Sequence, residues 1–246
     1  MEMKGIILAG GQGSRLSPLT DVVNKFLLPI YNKTLIEYSI DTMVKCGITD
    51  IAIILGRKSA GQTIEYLKSG ERYGVNFTYL YQENPLGVAH ALKYAKNFVG
   101  NDNVLVLCAD NIIWEDITPF VDNYKGGCTI SCKEFDDINT LRRFAVLDFD
   151  SNGKVTGLIE KPLTPPSNIA FAGIQIYDNK LFDIIPNLKL SDRGEYEITH
   201  VINEYIKNDD FNYVTLTEEW VDAGTPESLL EAQKMAFNKI TNGGMK

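Results

Sequence analysis

At 246 residues, with 44% hydrophobic and 23% charged positions, the chain can bury a large core as one α/β domain. Its formal charge of −8 excludes nonspecific binding to nucleic acid or acidic membrane, which needs a basic footprint. No apolar run nears the roughly eighteen residues of a membrane helix, and Lys4 leads directly into a strand without a signal-peptide pattern, so a cytoplasmic location is expected.

The chain opens with a strand over 5–8 that breaks into Gly10, Gly11 and Gly13 and then presents Arg15. Glycines let backbone N–H groups converge on anionic oxygens, and an arginine adds a planar cation suited to phosphate. A dinucleotide fingerprint would need glycine in place of Leu16, and a P-loop would need G-K-[ST] where Gly13-Ser14-Arg15 stands. A plain glycine turn with a solvated arginine is the alternative. Lys25 offers a second cation ten residues on.

Strand and helix signals then alternate as a parallel sheet requires. A helical stripe covers 34–46 with Gly47 as its stop, and buried strands cover 51–55 and 104–108. Helices are expected over 60–67 and 88–98, and a strand over 77–81. From residue 129 strands dominate, at 129–133, 144–149, 154–160 and 170–177, with Asp150-Ser151-Asn152-Gly153 marking a hairpin turn. A helix over 196–206, a strand over 213–216 and a last helix from Pro226, capped by Thr225, complete the pattern. Cys46, Cys108, Cys128 and Cys132 lack metal-site spacing, with only His90 and His200 to help them, and read as reduced structural thiols.

Asp110 leaves the buried strand over 104–108 and Asp222 leaves a second apolar strand, where open α/β sheets place ligands. Such acids are often helix caps or turn formers. Together they could also share a Mg²⁺, which takes a few carboxylates plus phosphate oxygens and water. Gln82 opens a polar turn leading to Gly87; its amide could read a pyrimidine edge, or simply be solvated. Glu160-Lys161 would pass for a surface ion pair.

The series Leu8 to Thr20, which fits L-A-G-G-x-G-[ST]-R-L-x-P-L-T, followed by K-x-L-L-P at Lys25, resembles the opening of the sugar-phosphate nucleotidyltransferases, most closely the glucose-1-phosphate thymidylyltransferases. Asp110-Asn111 stands for that family's G-D-N, Asp222-Ala223-Gly224-Thr225 for W-x-D-[TA]-G-T, and Gln82 to Ala91 for Q-x-x-P-x-G-[LI]-A-Q-A. Glu160-Lys161-Pro162 and Arg193-Gly194-Glu195 match E-E-K-P and R-G-E-L-E-I-T-D. Departures fall at Ala109, His90, His200 and, in the sugar segments, at Ala145 and Gln175, where glycine and an aromatic are usual.

The resemblance implies a Rossmann-like, mostly parallel sheet with helices on both faces and an inserted β-rich portion. The expectation is one domain over 1–246, with a nucleotide half to about 128 and a sugar-phosphate half from about 129. It implies Mg²⁺-dependent transfer from dTTP to glucose 1-phosphate, giving dTDP-glucose and pyrophosphate. Arg15, Lys25, Asp110 and Asp222 would be catalytic, with both acids on the metal. Gly10, Gly11, Gly13, Gln82 and Gly87 would hold the nucleotide; Ala145, Glu160, Lys161, Gln175 and Arg193 would hold the sugar phosphate. The expected partners are these two substrates, without nucleic acid or membrane, and a homo-oligomer is admitted. Ending soon after Ala236, the chain looks like the short form of the family. A transferase using UTP or another sugar phosphate stays open as the main alternative. A non-catalytic sugar-nucleotide sensor is disfavoured by retention of the charged residues, and a Rossmann oxidoreductase by Leu16.

Overall fold

The computed structural model describes residues 2–58 and 60–241 and shows a mixed α/β protein. The described chain gathers into two compact units, each assembled from separated stretches. The first takes in Gly5–Pro85, Leu107–Thr118 and the segment from Glu218 onward; the second takes in Leu86–Val106, Pro119–Thr217 and the residues before Gly5.

In the first unit the strand Met3–Ala9 pairs in parallel with Asp50–Leu55, which pairs in parallel with Asn76–Tyr81. Ile51 to Leu55 are all buried, as strands covered on both faces must be. Leu107 and Cys108, the last residues of the strand Asn103–Cys108, lead into Asp110 in this unit. A short ribbon pairs Asn111–Ile113 with Trp220–Asp222, setting Asp222 opposite Asn111. One core cluster, including Leu16, Ile30, Leu35, Ile112, Val221 and Leu229, anchors the glycine loop, this ribbon and the last helix together.

The expected helix over 34–46 is present as Leu35–Lys45, burying Leu35, Ile36, Ile40 and Met43. Thr34 starts it with a capping box: its N–H donates to Glu37 Oε2 at 2.7 Å. Tyr66 and Tyr73 hydroxyls donate to the same carboxylate at 3.0 and 2.9 Å. Burial pushes the Glu37 carboxyl up, but the bonds from Thr34, Tyr73 and Tyr66 outweigh it and hold it below its ordinary value. A carboxyl so depressed stabilises the fold above its unfolded value of about 4.3 and loses that contribution as pH falls through the folded value. The melting temperature should therefore drop more between about pH 5 and pH 3 in the native chain than in Glu37→Gln. Equal drops, followed by circular dichroism, would contradict the role.

The last helix spans Pro226–Thr241 and is capped as expected: Ser228 N–H donates to Thr225 Oγ1 at 3.3 Å and Thr225 N–H to Ser228 Oγ at 3.1 Å.

In the second unit the turn at Asp150 joins Ala145–Phe149 to Val155–Glu160 as the anticipated antiparallel hairpin. Asp150 Oδ1 holds it by accepting from the N–H groups of Asn152 and Lys154 at 2.8 and 2.9 Å. Ile169–Tyr177 pairs antiparallel with Cys128–Glu134, and Phe211–Thr215 runs parallel to the latter. The helix expected over 88–98 is divided into Val88–Lys93 and Lys96–Val99. Tyr94 and Ala95 donate instead to Ala91 and Leu92, three residues back, which tightens the chain and turns it. All four cysteines are reduced thiols outside any disulfide, and burial pushes the Cys108 thiol well above its usual range.

Candidate active site

The glycine loop of the first unit is shaped by what presses on it. Gly13 sits in the left-handed region at φ 67°, and a Cβ there would lie 2.8 Å from Thr20 Cγ2 and 3.1 Å from Lys25 Cβ. Its carbonyl accepts from Leu16 N–H and from Thr20 Oγ1, both at 2.8 Å. A Cβ on Gly10 would stand 3.2 Å from Gln82 Oε1, so the buried Gln82 packs against the start of the loop. Gly11 meets only the Phe26 ring at an ordinary 3.5 Å. Gly56 was missed by the sequence reading: a Cβ there would strike the Gly10 carbonyl at 2.5 Å.

Lys25 starts a single 3₁₀ turn, Lys25–Leu27, capped by Asn24, whose Oδ1 accepts from Phe26 N–H at 3.1 Å. The lysine is only 6% exposed, and its Nζ lies 2.5 Å from Asp110 Oδ2. Asp110 Oδ1 accepts from Asn111 Nδ2 at 2.9 Å, and Asn111 Oδ1 in turn accepts from Trp220 Nε1 at 2.9 Å. Burial raises the Asp110 carboxyl, but the Lys25 ammonium and the Asn111 amide more than compensate and hold it below the ordinary carboxylate value.

Asp222 reaches the same place through the ribbon, where Ala223 N–H donates to the Asp110 carbonyl at 2.8 Å. A Cβ on Gly224 would lie 2.7 Å from Asp222 Oδ1 and 2.8 Å from Arg15 Nη2. The absence of a side chain at Gly224 thus lets a guanidinium and a carboxylate share one face of the backbone. Arg15, Lys25, Asp110 and Asp222 converge, with Gly13 against Lys25, while Gln82 lies against Gly10. Asn111, Trp220 and Gly224 belong to this constellation too; the D-N and D-A-G-T segments were the signal that could have found them. Among the described residues no group of three or more His, Cys, Asp or Glu is placed to cage a metal. Two carboxylates beside a glycine loop fit Mg²⁺, which takes a few carboxylates and completes its shell with other hard oxygens and water.

The second unit brings together a different set. Ala145 stands directly opposite Glu160 in the hairpin. Lys161 follows with φ 43°, a backbone state costly for a side-chain-bearing residue, and its N–H donates to the Phe144 carbonyl at 3.1 Å. Glu160 Oε1 receives both Lys161 Nζ at 3.4 Å and Arg193 Nη1 at 3.0 Å. Arg193 also lies 3.3 Å from the buried Glu197, whose Oε1 accepts from Ser191 Oγ at 2.9 Å. Two cations are thus held in place by carboxylates while remaining partly exposed.

Gln175 is 1% exposed; its Oε1 accepts from the Tyr177 hydroxyl at 2.5 Å, and its buried Nε2 has no hydrogen-bond partner among the described residues. Gly87, at φ 100°, approaches the Tyr196 backbone, to whose carbonyl Ala89 N–H donates at 3.2 Å. His90 stacks on the Tyr196 ring with centroids 6.0 Å apart. Two cavities in this unit, of about 740 and 640 Å³, lie elsewhere, around Lys180, Tyr205 and Asp209 and around Gly157, His200 and Asn203.

The family model for nucleotidyl transferase matches residues 4–239. A low-salt glycan biosynthesis nucleotidyltransferase of Haloferax volcanii, Agl11, is 39% identical over 96% of this chain, which spans 66% of that relative's length. A glucose-1-phosphate thymidylyltransferase of Mycolicibacterium smegmatis is 39% identical over 99% of this chain and 85% of its own. A crystal structure from Bacillus anthracis, in complex with a sucrose, superposes with a TM-score of 0.89 at 42% identity, covering 96% of this chain and 95% of that one. The family match over residues 4–239 and the 39% identity to a relative covered over 85% of its length carry one conclusion: the chain belongs to the nucleotidyl transferase family.

Proposed function

We propose that this protein transfers a thymidylyl group from dTTP to glucose 1-phosphate in the cytoplasm, releasing pyrophosphate. The observation that carries the reading is the meeting of Arg15, Lys25, Asp110 and Asp222 beside the loop of Gly10, Gly11 and Gly13. Two cations and two acids at a glycine loop answer the main obstacle of the reaction, which is the approach of two polyanions. A sugar phosphate is already largely dianionic near neutral pH, its second ionisation lying near pH 6, so it attacks the α-phosphorus without a general base.

Arg15 and the loop hold the departing pyrophosphate, and Lys25 neutralises charge at the reacting phosphates. Asp110 and Asp222 would hold Mg²⁺, which supplies charge neutralisation on the triphosphate oxygens. Gln82 and Gly87 are assigned to the base. In the second unit Lys161 and Arg193 grip the sugar phosphate, and Glu160 accepts from sugar hydroxyls. Loss of one such cation costs about 2.7–4 kcal/mol of transition-state stabilisation, by analogy with an oxyanion donor. Pyrophosphate release across dTTP, UTP and a panel of sugar 1-phosphates tests the reading, and no release with any pair would defeat it.

A second reading, in which the sugar is not glucose, is favoured by Ala145 and Gln175 and by the glycan-biosynthesis name of the haloarchaeal relative. A buried donor without a partner is costly, so Gln175 Nε2 is suited to an oxygen that arrives with the substrate. Gln175→Met, which keeps the volume and removes the amide, should change the ratio of kcat/KM between two sugar phosphates by about tenfold, in line with the ~1–3 kcal/mol of one pocket contact. Equal losses on both sugars would show that the amide serves packing alone.

A further inference from the structure

Both oxygens of Asp110 are already engaged: Oδ2 by the Lys25 ammonium at 2.5 Å and Oδ1 by the Asn111 amide at 2.9 Å. Lys25 is also embedded, its stem against Gly13 and its Nζ 5.6 Å from the Phe26 ring centroid. The four charged groups of the cluster, Arg15, Lys25, Asp110 and Asp222, sum to zero formal charge. We propose that Lys25 is the resident counter-ion of Asp110, so that the divalent cation enters with the triphosphate and is not held by the free protein.

The inference rests on the metal role assigned to the two acids above. A divalent cation arriving alone must detach the ammonium from Asp110, leaving a buried positive charge beside two more. It would convert a neutral cluster into one of charge +2 in a poorly solvated setting, where uncompensated charge is strongly disfavoured. A triphosphate removes both objections. Its oxygens give Lys25 a new anionic partner and complete the hard-oxygen shell that two carboxylates leave open. Asn111, fixed by Trp220, keeps Asp110 oriented while the ammonium changes partner. Lys25 thereby acts twice, first holding the acid and then the phosphate.

The test is titration of Mn²⁺, read by loss of its free electron paramagnetic resonance signal, into native protein, Lys25→Met and Lys25→Met/Asp110→Asn, all without nucleotide. Circular dichroism checks folding, and Lys25→Gln stands in should the Met variant not fold. Lys25→Met should bind Mn²⁺ at least about tenfold more tightly than native protein, and the added Asp110→Asn should abolish the gain. Native protein should gain Mn²⁺ affinity only when a dTTP analogue with a methylene bridge between the α- and β-phosphates is present, beyond the analogue's own binding of the ion. Native protein alone binding Mn²⁺ as tightly as Lys25→Met would overturn the proposal, and tight binding by native protein alone would do so even if no Lys25 variant folds. That result leaves the transferase reading standing, since pyrophosphate release is measured separately. Absence of product from every substrate pair would defeat that reading without altering the Mn²⁺ comparison.

Discussion

Asp110→Asn and Asp222→Asn are each expected to lower pyrophosphate release by about 10²–10³-fold, the loss seen when one preorganised electrostatic contact to a developing charge is removed. The substitution keeps shape and hydrogen-bonding capacity, so it isolates charge. Asp110→Asn retains an acceptor for Lys25, and Asp222→Asn leaves the ribbon and the Ala223 to Asp110 backbone bond in place. Melting temperatures should accordingly fall far less than activity does. Raised Mg²⁺ should recover part of the lost rate, because a weakened site can still be filled by mass action. Near-native turnover in both variants at low Mg²⁺ would remove these acids from the chemistry.

Gly87→Ala carries the largest expected loss of stability. The position holds φ 100°, and the new Cβ would lie 2.6 Å from the Tyr196 carbonyl oxygen and 2.9 Å from its nitrogen. Backbone strain of about 1–3 kcal/mol and a comparable cost of overpacking add to roughly 2–6 kcal/mol. In a chain of this size, at about 2–4 °C per kcal/mol, that is a fall in melting temperature of about 4–24 °C. The displaced Tyr196 follows the segment that carries Arg193, and its N–H donates to the Leu86 carbonyl at 2.8 Å. Affinity for the sugar phosphate should thus suffer along with stability. Thermal melts and initial-rate kinetics check both, and an unchanged melting temperature would mean that the Gly87 segment yields freely.

What the sequence by itself determined is local in origin. The strand, glycine turn and arginine at the start could be read because positive φ and close approach admit few residue types. The helix at 35–45 followed from its apolar stripe and the Thr34 cap, and the hairpin at Asp150 from side-chain bonds within five residues. The order of motifs was enough to nominate Arg15, Lys25, Asp110 and Asp222, and all four do converge.

The tertiary structure alone decided who partners whom. Lys25 and Asp110 are separated by 85 positions, and Arg193 and Glu160 by 33, and no periodicity encodes such pairs. It also decided why several glycines are glycines: Gly13 clears Thr20 and Lys25, Gly87 clears Tyr196, Gly224 clears Arg15 and Asp222, and Gly56 clears Gly10. The break after Lys93 and the burial of Gln175 with an unsatisfied donor were equally invisible. Propensity and pattern act over a few residues along the chain, whereas space, dielectric and hydrogen-bond supply at a side chain are set by segments that only folding brings together.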